Sequence, residues 1–150
     1  MISGNHKNQR HLRSKRLLIM DNNYIYSDLT KRIIKAYFKV YNTLGYGFLE
    51  KVYERALCHE LRGMGMNIES QKSIKVFYNE IEVGDYYADI IVEGKVIIEL
   101  KAAEILAEEH EFQLINYLKA TDMEVGLLLN FGKKPEFKRK VFSNCITNSL

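Results

Sequence analysis

The sequence predicts a single α/β domain with a central mixed β-sheet flanked by helices. Apolar residues recur at helical spacing in two N-terminal segments and again between residues 103 and 120. Between and after these helices lie short segments rich in β-branched and aromatic residues, in the order α, α, β, β, β, α, β. An antiparallel meander followed by a crossover helix and one more strand forms a mixed sheet with helices on its faces. A chain of 150 residues fits one such domain.

The first two predicted elements are helices. Ser27 and Asp28 can cap the first, whose apolar positions follow the helical period until Gly45-Tyr46-Gly47 breaks it. The second runs from about Phe48 to Met64, where flanking glycines end it.

The predicted strands follow in the middle of the chain. The first lies near Ile68 to Tyr78, the second runs from about Ile81 to Val92 after a turn at Asn79-Glu80, and the third is Val96 to Lys101. Ala103 to Ala120 is a predicted crossover helix, and Val125 to Phe131 is a buried strand. We expect residues 133–150 to form a short extra element and then a loose end, as a C-terminal extension of the domain spanning residues 25–132.

The charge is divided unevenly along the chain. The formal net charge is +3, but residues 1–19 contain five lysines and arginines and no acid. The remaining chain therefore has 17 of the 22 basic residues and all 19 acidic ones. We predict that residues 1–24 form a basic, disordered tail, with Met20 as an alternative translation start. Such a tail could also attract phosphates loosely.

Several classes of protein are disfavoured by the sequence. No apolar run is long enough for a membrane span, and no apolar segment of signal-peptide type follows the basic N-terminus. Cys58 and Cys145 are the two cysteines and lack metal-ligand spacing. They are predicted to be reduced thiols, which indicates a cytoplasmic protein without zinc.

The densest chemistry in the sequence lies where the predicted second and third strands adjoin. Asp89 is in the second strand, and Glu99-Leu100-Lys101 ends the third. Side chains alternate between the faces of a strand, so Glu99 and Lys101 project together while Leu100 points the other way. An acid and a base are thereby held side by side.

The hairpin loop decides whether Asp89 joins this pair. If residues 93–95 all form the loop, Asp89 faces Glu99, whereas a two-residue turn would pair Asp89 with Ile98 on the wrong face. Three-residue loops that contain a glycine, as Gly94 would provide here, are a common hairpin class.

Two facing carboxylates repel each other unless a cation relieves the charge, and Mg²⁺ or Mn²⁺ suits such oxygen ligands. Asp89, Glu99 and the backbone carbonyl of Leu100 would hold the ion. Lys101 would orient an attacking water and offset charge developing on phosphorus, as in a metal-assisted phosphodiesterase. The alternative is that Glu99 and Lys101 form a same-face ion pair on a strand end and that Asp89 is a solvated acid near the turn.

Four residues on the predicted helices could support such a site. Glu50 borders the buried face of the second helix and could be a further metal ligand, or simply an exposed acid. Tyr53 is a core aromatic whose hydroxyl needs a partner. Gln113 and Tyr117 lie four apart on the crossover helix and could bind phosphate or support the lysine. The alternative for them is a packed Tyr and a surface Gln; His110 is predicted to be solvated.

Two sequence motifs resemble a known family. Gly47-Phe-Leu-Glu50-Lys-Val-Tyr53 matches the signature of the GxxExxY protein family, and Leu128-Leu129-Asn130-Phe131-Gly132 is similar to its closing strand. That family resembles the PD-(D/E)xK nuclease superfamily, whose restriction-endonuclease-like core is αβββαβ. The likeness covers roughly residues 25–132.

The resemblance implies roles for individual residues. Asp89 takes the place of the first acid, and Glu99 with Lys101 that of the (D/E)xK motif. Gln113 with Tyr117 resembles the Gln-x-x-x-Tyr motif of the RecB-like branch. Glu50 matches a helical acid that many members contribute to the metal site; Ala88 stands where the motif has Pro.

The function implied is a Mg²⁺-dependent nuclease acting on DNA rather than RNA. A second possibility is a catalytically weak or inactive nuclease-fold module that binds nucleic acid or a protein partner. A third possibility is an interaction subunit whose acids have a structural role only. The chain after residue 19 has a net charge near zero, which suggests that a homodimer or a protein partner is needed to bind a duplex.

Overall fold

The computed structural model describes residues 25–143, so the predictions for the basic tail and for Cys145 lie outside the described residues. Within this range the chain forms three helices and five strands. Their bounds are α1 Ser27–Leu44, α2 Glu50–Gly63, β1 Ile68–Tyr78, β2 Ile81–Val92, β3 Val96–Lys101, α3 Glu108–Lys119, β4 Val125–Phe131 and β5 Pro135–Val141. None of these helices has the length and apolarity required to cross a bilayer.

The strands form one mixed sheet in the order β1-β2-β3-β4-β5. Only β3 and β4 are parallel, because α3 carries the chain from the end of β3 back to the start of β4. The α/β class and the mixed sheet predicted from the sequence are confirmed. β5 adds an antiparallel edge strand, and it begins at Pro135, a position where a missing backbone donor is tolerated.

The sheet separates two hydrophobic cores. Ile98 and Leu100 of β3 pack with α1 and α2 on one face. Ile97 of β3 packs on the other face with Leu114 and Leu118 of α3. β3 is therefore covered on both sides, as its unbroken apolar sequence predicts. The polar residues at its C-terminal end lie at the centre of the sheet.

The register of the β2–β3 hairpin agrees with the three-residue loop. Val92 lies opposite Val96, and Ile90 lies opposite Ile98. Glu93 and Gly94 both have left-handed φ, at 54° and 61°, which closes the turn. The same register brings Asp89 level with Glu99.

Two predicted helix starts are wrong by small amounts. α1 is not capped by Ser27 or Asp28, since its first backbone bond runs from Thr30 N–H to the carbonyl of Tyr26 and no side chain caps it. α2 starts at Glu50 rather than near Phe48, because Leu49, just before it, has an extended backbone with a ψ of 151°.

The third helix starts five residues later than predicted, at Glu108 instead of Ala103. The Asn130 side chain binds both backbone groups of Ala103: its Oδ1 accepts from the Ala103 N–H at 3.0 Å, and its Nδ2 donates to the Ala103 carbonyl at 2.8 Å. These bonds occupy groups that a helix would need. Gly132 packs so close to the same carbonyl that a Cβ would lie 2.3 Å from it.

Candidate functional site

Asp89 and Glu99 are joined by backbone hydrogen bonds in place of a regular ladder. The Leu100 N–H donates to Asp89 Oδ2 at 2.8 Å, and the Asp89 N–H donates to Glu99 Oε1 at 3.2 Å. Pairing of β2 with β3 ends one residue earlier, at Ile90 and Ile98. The two carboxylates therefore fill the gap where the strands separate.

A break in strand alternation places Asp89 in that gap. Ala88 packs in the core under α3, whereas Ile90, two residues later, packs in the core under α1 and α2. In a regular strand both would share a face. The twist between them leaves Asp89 half-buried between the two faces.

Glu99 is buried, with 4% of its surface exposed. Burial, together with the charge of the nearby Asp89 carboxylate and a side-chain hydrogen bond to it, raises the pKa of Glu99 to about 8. The Asp89 N–H and the positive charge of Lys101 act in the opposite direction. Two acids close enough to share a proton are a place where a divalent cation would relieve repulsion.

Lys101 is half-buried at the end of β3, where it pairs across the ladder with Asn130. No ion pair joins Lys101 to Glu99 among residues 25–143, so the predicted alternative of a simple Glu–Lys ion pair is not seen. Its charge still lowers the pKa of Glu99. The ammonium group is thus near the acids without being neutralised by them.

A cavity of about 880 Å³ opens beside Asp89 of β2, between the start of α2 and the C-terminal ends of β3 and β4. Glu50 and Leu100 line it together with Asp89. Glu50 is exposed at the first position of α2, so it shares the cavity without joining the acid pair. Leu100 directs its N–H toward Asp89, and the carbonyl of the same residue points to the same side of an extended strand.

Glu54 and Gln71 are cavity residues that the sequence analysis missed. Gln71 Nε2 donates to Glu54 Oε2 at 3.0 Å and to Asp89 Oδ1 at 3.2 Å, so one amide bridges two carboxylates. Glu54 is buried and also pairs with Lys51 at 3.2 Å. One signal was available, since Glu54 lies three and seven residues before Leu57 and Leu61 on the apolar face of α2.

The backbone of Gln71 is left-handed, with a φ of 53° inside β1. Its neighbours Ser70 and Lys72 pair normally with β2, whereas Gln71 itself is unpaired opposite Asp89. A residue other than Gly in this conformation costs of the order of 1 kcal/mol or more. The strained position turns the Gln71 side chain toward the acids.

Tyr53 supports the loop at the mouth of the cavity. Its hydroxyl donates to the Gly45 carbonyl at 2.6 Å and accepts from the Phe48 N–H at 3.2 Å. Its ring stacks on Phe131 with the centroids 4.2 Å apart. The hydroxyl thus has the partner that the sequence analysis expected, within the Gly-Tyr-Gly segment.

On the other side of the acids, Gln113 and Tyr117 contact each other, with Gln113 Nε2 donating to the Tyr117 hydroxyl at 2.8 Å. Burial raises the pKa of Tyr117, and the charges of Glu99 and Asp89 add to the effect. Tyr117 therefore lies near the acids, and Gln113 is bonded to Tyr117. His110 is not simply solvated, because its Nδ1 accepts from the Ala107 N–H at 3.2 Å and caps α3.

The donor set suits a small hard cation. Among residues 25–143 no three Asp, Glu, His or Cys side chains converge on one point. Mg²⁺ is commonly held by one or two carboxylates and keeps several waters, so Asp89, Glu99 and a carbonyl suffice. Glu50 lies on the wall of the same cavity as Asp89 and could contact such waters.

Comparisons with known proteins bear on the family and the fold. A sequence model of the PD-(D/E)XK nuclease superfamily matches residues 27–140. No curated protein matches the chain significantly. The crystal structure of SSO0001 is similar, with a TM-score of 0.51 at 17% sequence identity. That alignment covers 82% of this chain and only 62% of SSO0001, and at this identity it shows a shared fold alone.

Proposed function

Because the chain belongs to the PD-(D/E)XK nuclease superfamily, we propose that it is a metal-dependent nuclease that hydrolyses DNA phosphodiester bonds by water attack. Within the superfamily, the motif around Glu50 and Tyr53 supports assignment to the GxxExxY family, and Gln113 with Tyr117 supports the RecB-like branch. The observation that carries the proposal is the contact between Asp89 and Glu99 beside Lys101, which forms no ion pair within residues 25–143.

Asp89, Glu99 and the Leu100 carbonyl are the groups that would hold Mg²⁺ or Mn²⁺, with Glu50 acting from the cavity wall. A bound ion supplies Lewis acidity at the phosphate and a water of lowered pKa. The protein's own contribution is to keep the two acids together: two backbone N–H groups fix their orientation, and Gln71 holds Asp89 from the opposite side.

Lys101 supplies the positive charge that the chemistry needs. Its ammonium group forms no ion pair in the described part of the chain, so it can orient the attacking water and stabilise charge on the phosphoryl oxygens. Tyr117, held by Gln113, offers a hydroxyl on the same side as Glu99. We assign Gln113 and Tyr117 to phosphate binding or to support of the acids. We assign Tyr53 to support of the cavity loop.

We further propose that the protein acts in the cytoplasm and that its partner is DNA rather than RNA. Formation of a homodimer, or a second protein, would help it to bind a duplex. The competing possibility is a nuclease-fold module with little activity of its own. Among the described residues no third acid converges on Asp89 and Glu99, so the possibility of a weakly active module needs a direct test.

The decisive experiment incubates the purified full chain with linear, circular and single-stranded DNA and with RNA, in Mg²⁺, in Mn²⁺ and in a chelator. We expect metal-dependent cleavage of DNA, reduced by about 10²-fold or more in Lys101→Ala, since one charge-stabilising group is commonly worth that much. Lys95→Ala is the matched control, because Lys95 lies just before the opposite end of β3. Absence of cleavage in every condition, or full activity in Lys101→Ala, would contradict the proposal.

A further inference from the structure

The β1–β2 hairpin extends well beyond the rest of the sheet. β2 pairs with β1 along nearly its whole length but with β3 only from Ile90 to Val92. Residues 72–88 therefore form a two-stranded arm, which a turn with left-handed Asn79 and Glu80 closes. The arm begins at Asp89, so it projects from the candidate site.

Three aromatic rings face water in a groove between this arm and α3. Phe77 and Tyr86 of the arm are 60% and 48% exposed, and Phe112 of α3 is 58% exposed. They line a groove of about 820 Å³, together with Gln113 and Tyr117. Contiguous exposed apolar surface of this kind is typical of an interaction site.

The groove is continuous with the candidate site through Tyr117. The Tyr86 and Tyr117 ring centroids are 5.8 Å apart, and the Tyr117 hydroxyl accepts the Gln113 amide. Tyr117 is also near Glu99. A molecule that occupies the groove would therefore lie next to the acids.

The charges at the groove favour an anionic occupant. Its walls contain two lysines, Lys75 and Lys119, and one carboxylate, Glu109. Lys75 is exposed and only loosely paired with Glu82, at 3.7 Å. Aromatic faces flanked by ammonium groups match a strand whose bases stack and whose phosphates are negative.

We propose that this groove binds unpaired nucleotides adjoining the scissile phosphate, with bases stacked on Tyr86, Phe77 and Phe112. This inference rests on the proposed nuclease function and specifies its substrate as a single strand or an unpaired end. An intact duplex keeps its bases stacked inside the helix, so it cannot use the aromatic rings. The arm would then select DNA that is already opened.

The test measures anisotropy of a fluorescein-labelled single-stranded oligothymidylate in a chelator, so that binding is read without cleavage. Tyr86→Ala and Phe112→Ala should each weaken binding about fivefold or more, because one stacked base contributes about 1–3 kcal/mol. Tyr86→Phe should retain binding. Tyr87→Ala is the matched control, because Tyr87 is similarly exposed on the opposite face of the arm.

An oligonucleotide of equal length with abasic sites separates stacking from charge. The wild type should bind it more weakly than oligothymidylate, and Tyr86→Ala should no longer distinguish the two. Equal effects of Tyr86→Ala and Tyr87→Ala, or no preference for bases, would overturn the assignment. So would sedimentation showing that Tyr86→Ala and Phe112→Ala dissociate a dimer while oligonucleotide binding is unchanged.

These outcomes are distinct from failure of the proposed function. Base-dependent binding without cleavage in Mg²⁺ or Mn²⁺ would retain the groove and reject the nuclease. Cleavage that Tyr86→Ala and Phe112→Ala leave unchanged on single strands would retain the nuclease and reject the groove.

Discussion

Two concave regions lie near the acid pair, and their chemistry differs: Asp89 lines one, and Tyr117, which is near Glu99, lines the other. The cavity beside α2 has four carboxylates and two lysines in its walls, and an amide bridges two of the carboxylates. The groove beside α3 has exposed aromatic rings, two lysines and one carboxylate. The first concentrates negative charge, and the second combines apolar faces with positive charge.

The difference indicates that the two faces of the sheet have separate functions, cation binding in the cavity and strand binding in the groove. Negative charge near Asp89 favours a cation and disfavours phosphates, whereas the groove favours an anionic strand. Glu99 contacts Asp89 and also lies near Tyr117, so it stands between the regions. Variants on each side should therefore alter different measurements.

The largest effect should come from Asp89. Asp89→Ala removes a carboxylate and leaves the Leu100 N–H without its acceptor, so cleavage should fall by about 10³-fold or more. Metal stabilisation should also disappear; a site saturated at about 100 times its Kd otherwise adds roughly 2.7 kcal/mol. Thermal melting during a Mg²⁺ or Mn²⁺ titration measures this.

Asp85→Ala is the control for Asp89, because Asp85 lies in the same strand and its carboxylate accepts a hydrogen bond from Ser73 on the exposed arm. It should keep the metal-dependent rise in melting temperature, as should Phe112→Ala. If Phe112→Ala abolished metal stabilisation, the two regions would not be separate in function.

Gln71 should have an intermediate effect, through the orientation of Asp89. Gln71→Gly relieves the left-handed backbone and removes the amide, so the metal-free protein should melt at the same or a higher temperature. Its affinity for the ion should nevertheless fall about tenfold or more, as for other residues that orient a metal ligand. Calorimetric titration with Mn²⁺ measures the affinity.

Gln71→Asn provides the comparison, since Asn tolerates a left-handed φ but its amide is one methylene shorter. It should behave like Gln71→Gly if the reach of the amide matters. Unchanged Mn²⁺ affinity in both variants would restrict Gln71 to a structural role.

The sequence predicted much of the fold because its signals were local. The apolar run of β3 and the glycine in the 93–95 loop were enough for the topology and for the register that aligns Asp89 with Glu99. The helix starts were less predictable. The late start of α3 depends on Asn130 binding Ala103, a contact between residues 27 apart.

The site was predictable only in part, for the same reason. Asp89, Glu99 and Lys101 could be placed by strand alternation, but the loss of alternation at Asp89 results from packing on both faces. Gln71 carries no sequence signal, because its role depends on an uncommon φ. The groove was missed because Phe77 and Phe112 lie on different elements that only the tertiary fold brings together.

Glu99 should give a pH-dependent effect on stability in a chelator. Its pKa is about 8 in the folded protein and near 4.5 in the unfolded chain, so folding takes up a proton between these values. The free energy of unfolding therefore decreases as pH rises from about 4.5 to 8 and is level above that range. Glu99→Gln removes the charge and should stabilise the protein by up to about 5 kcal/mol at pH 9, since one pKa unit corresponds to about 1.4 kcal/mol, with little effect at pH 4.

Urea unfolding at a series of pH values measures this effect. Glu111→Gln is the control with the opposite sign, because bonds from Lys140 and Lys138 lower the pKa of Glu111. A Glu99→Gln protein whose stability relative to wild type does not change with pH would show that Glu99 is not a buried, protonated acid.

The smallest effect should come from Tyr53, which belongs to the cavity side alone. Tyr53→Phe keeps the stacking on Phe131 but removes the hydroxyl that binds the Gly45 carbonyl and the Phe48 N–H. Stability should fall by about 1 kcal/mol, the usual net value of such hydrogen bonds. Cleavage should weaken slightly as the cavity loop loosens, while oligonucleotide binding in a chelator stays unchanged. A loss of oligonucleotide binding equal to that of Tyr86→Ala would show that the cavity loop, and not only the arm, contacts the strand.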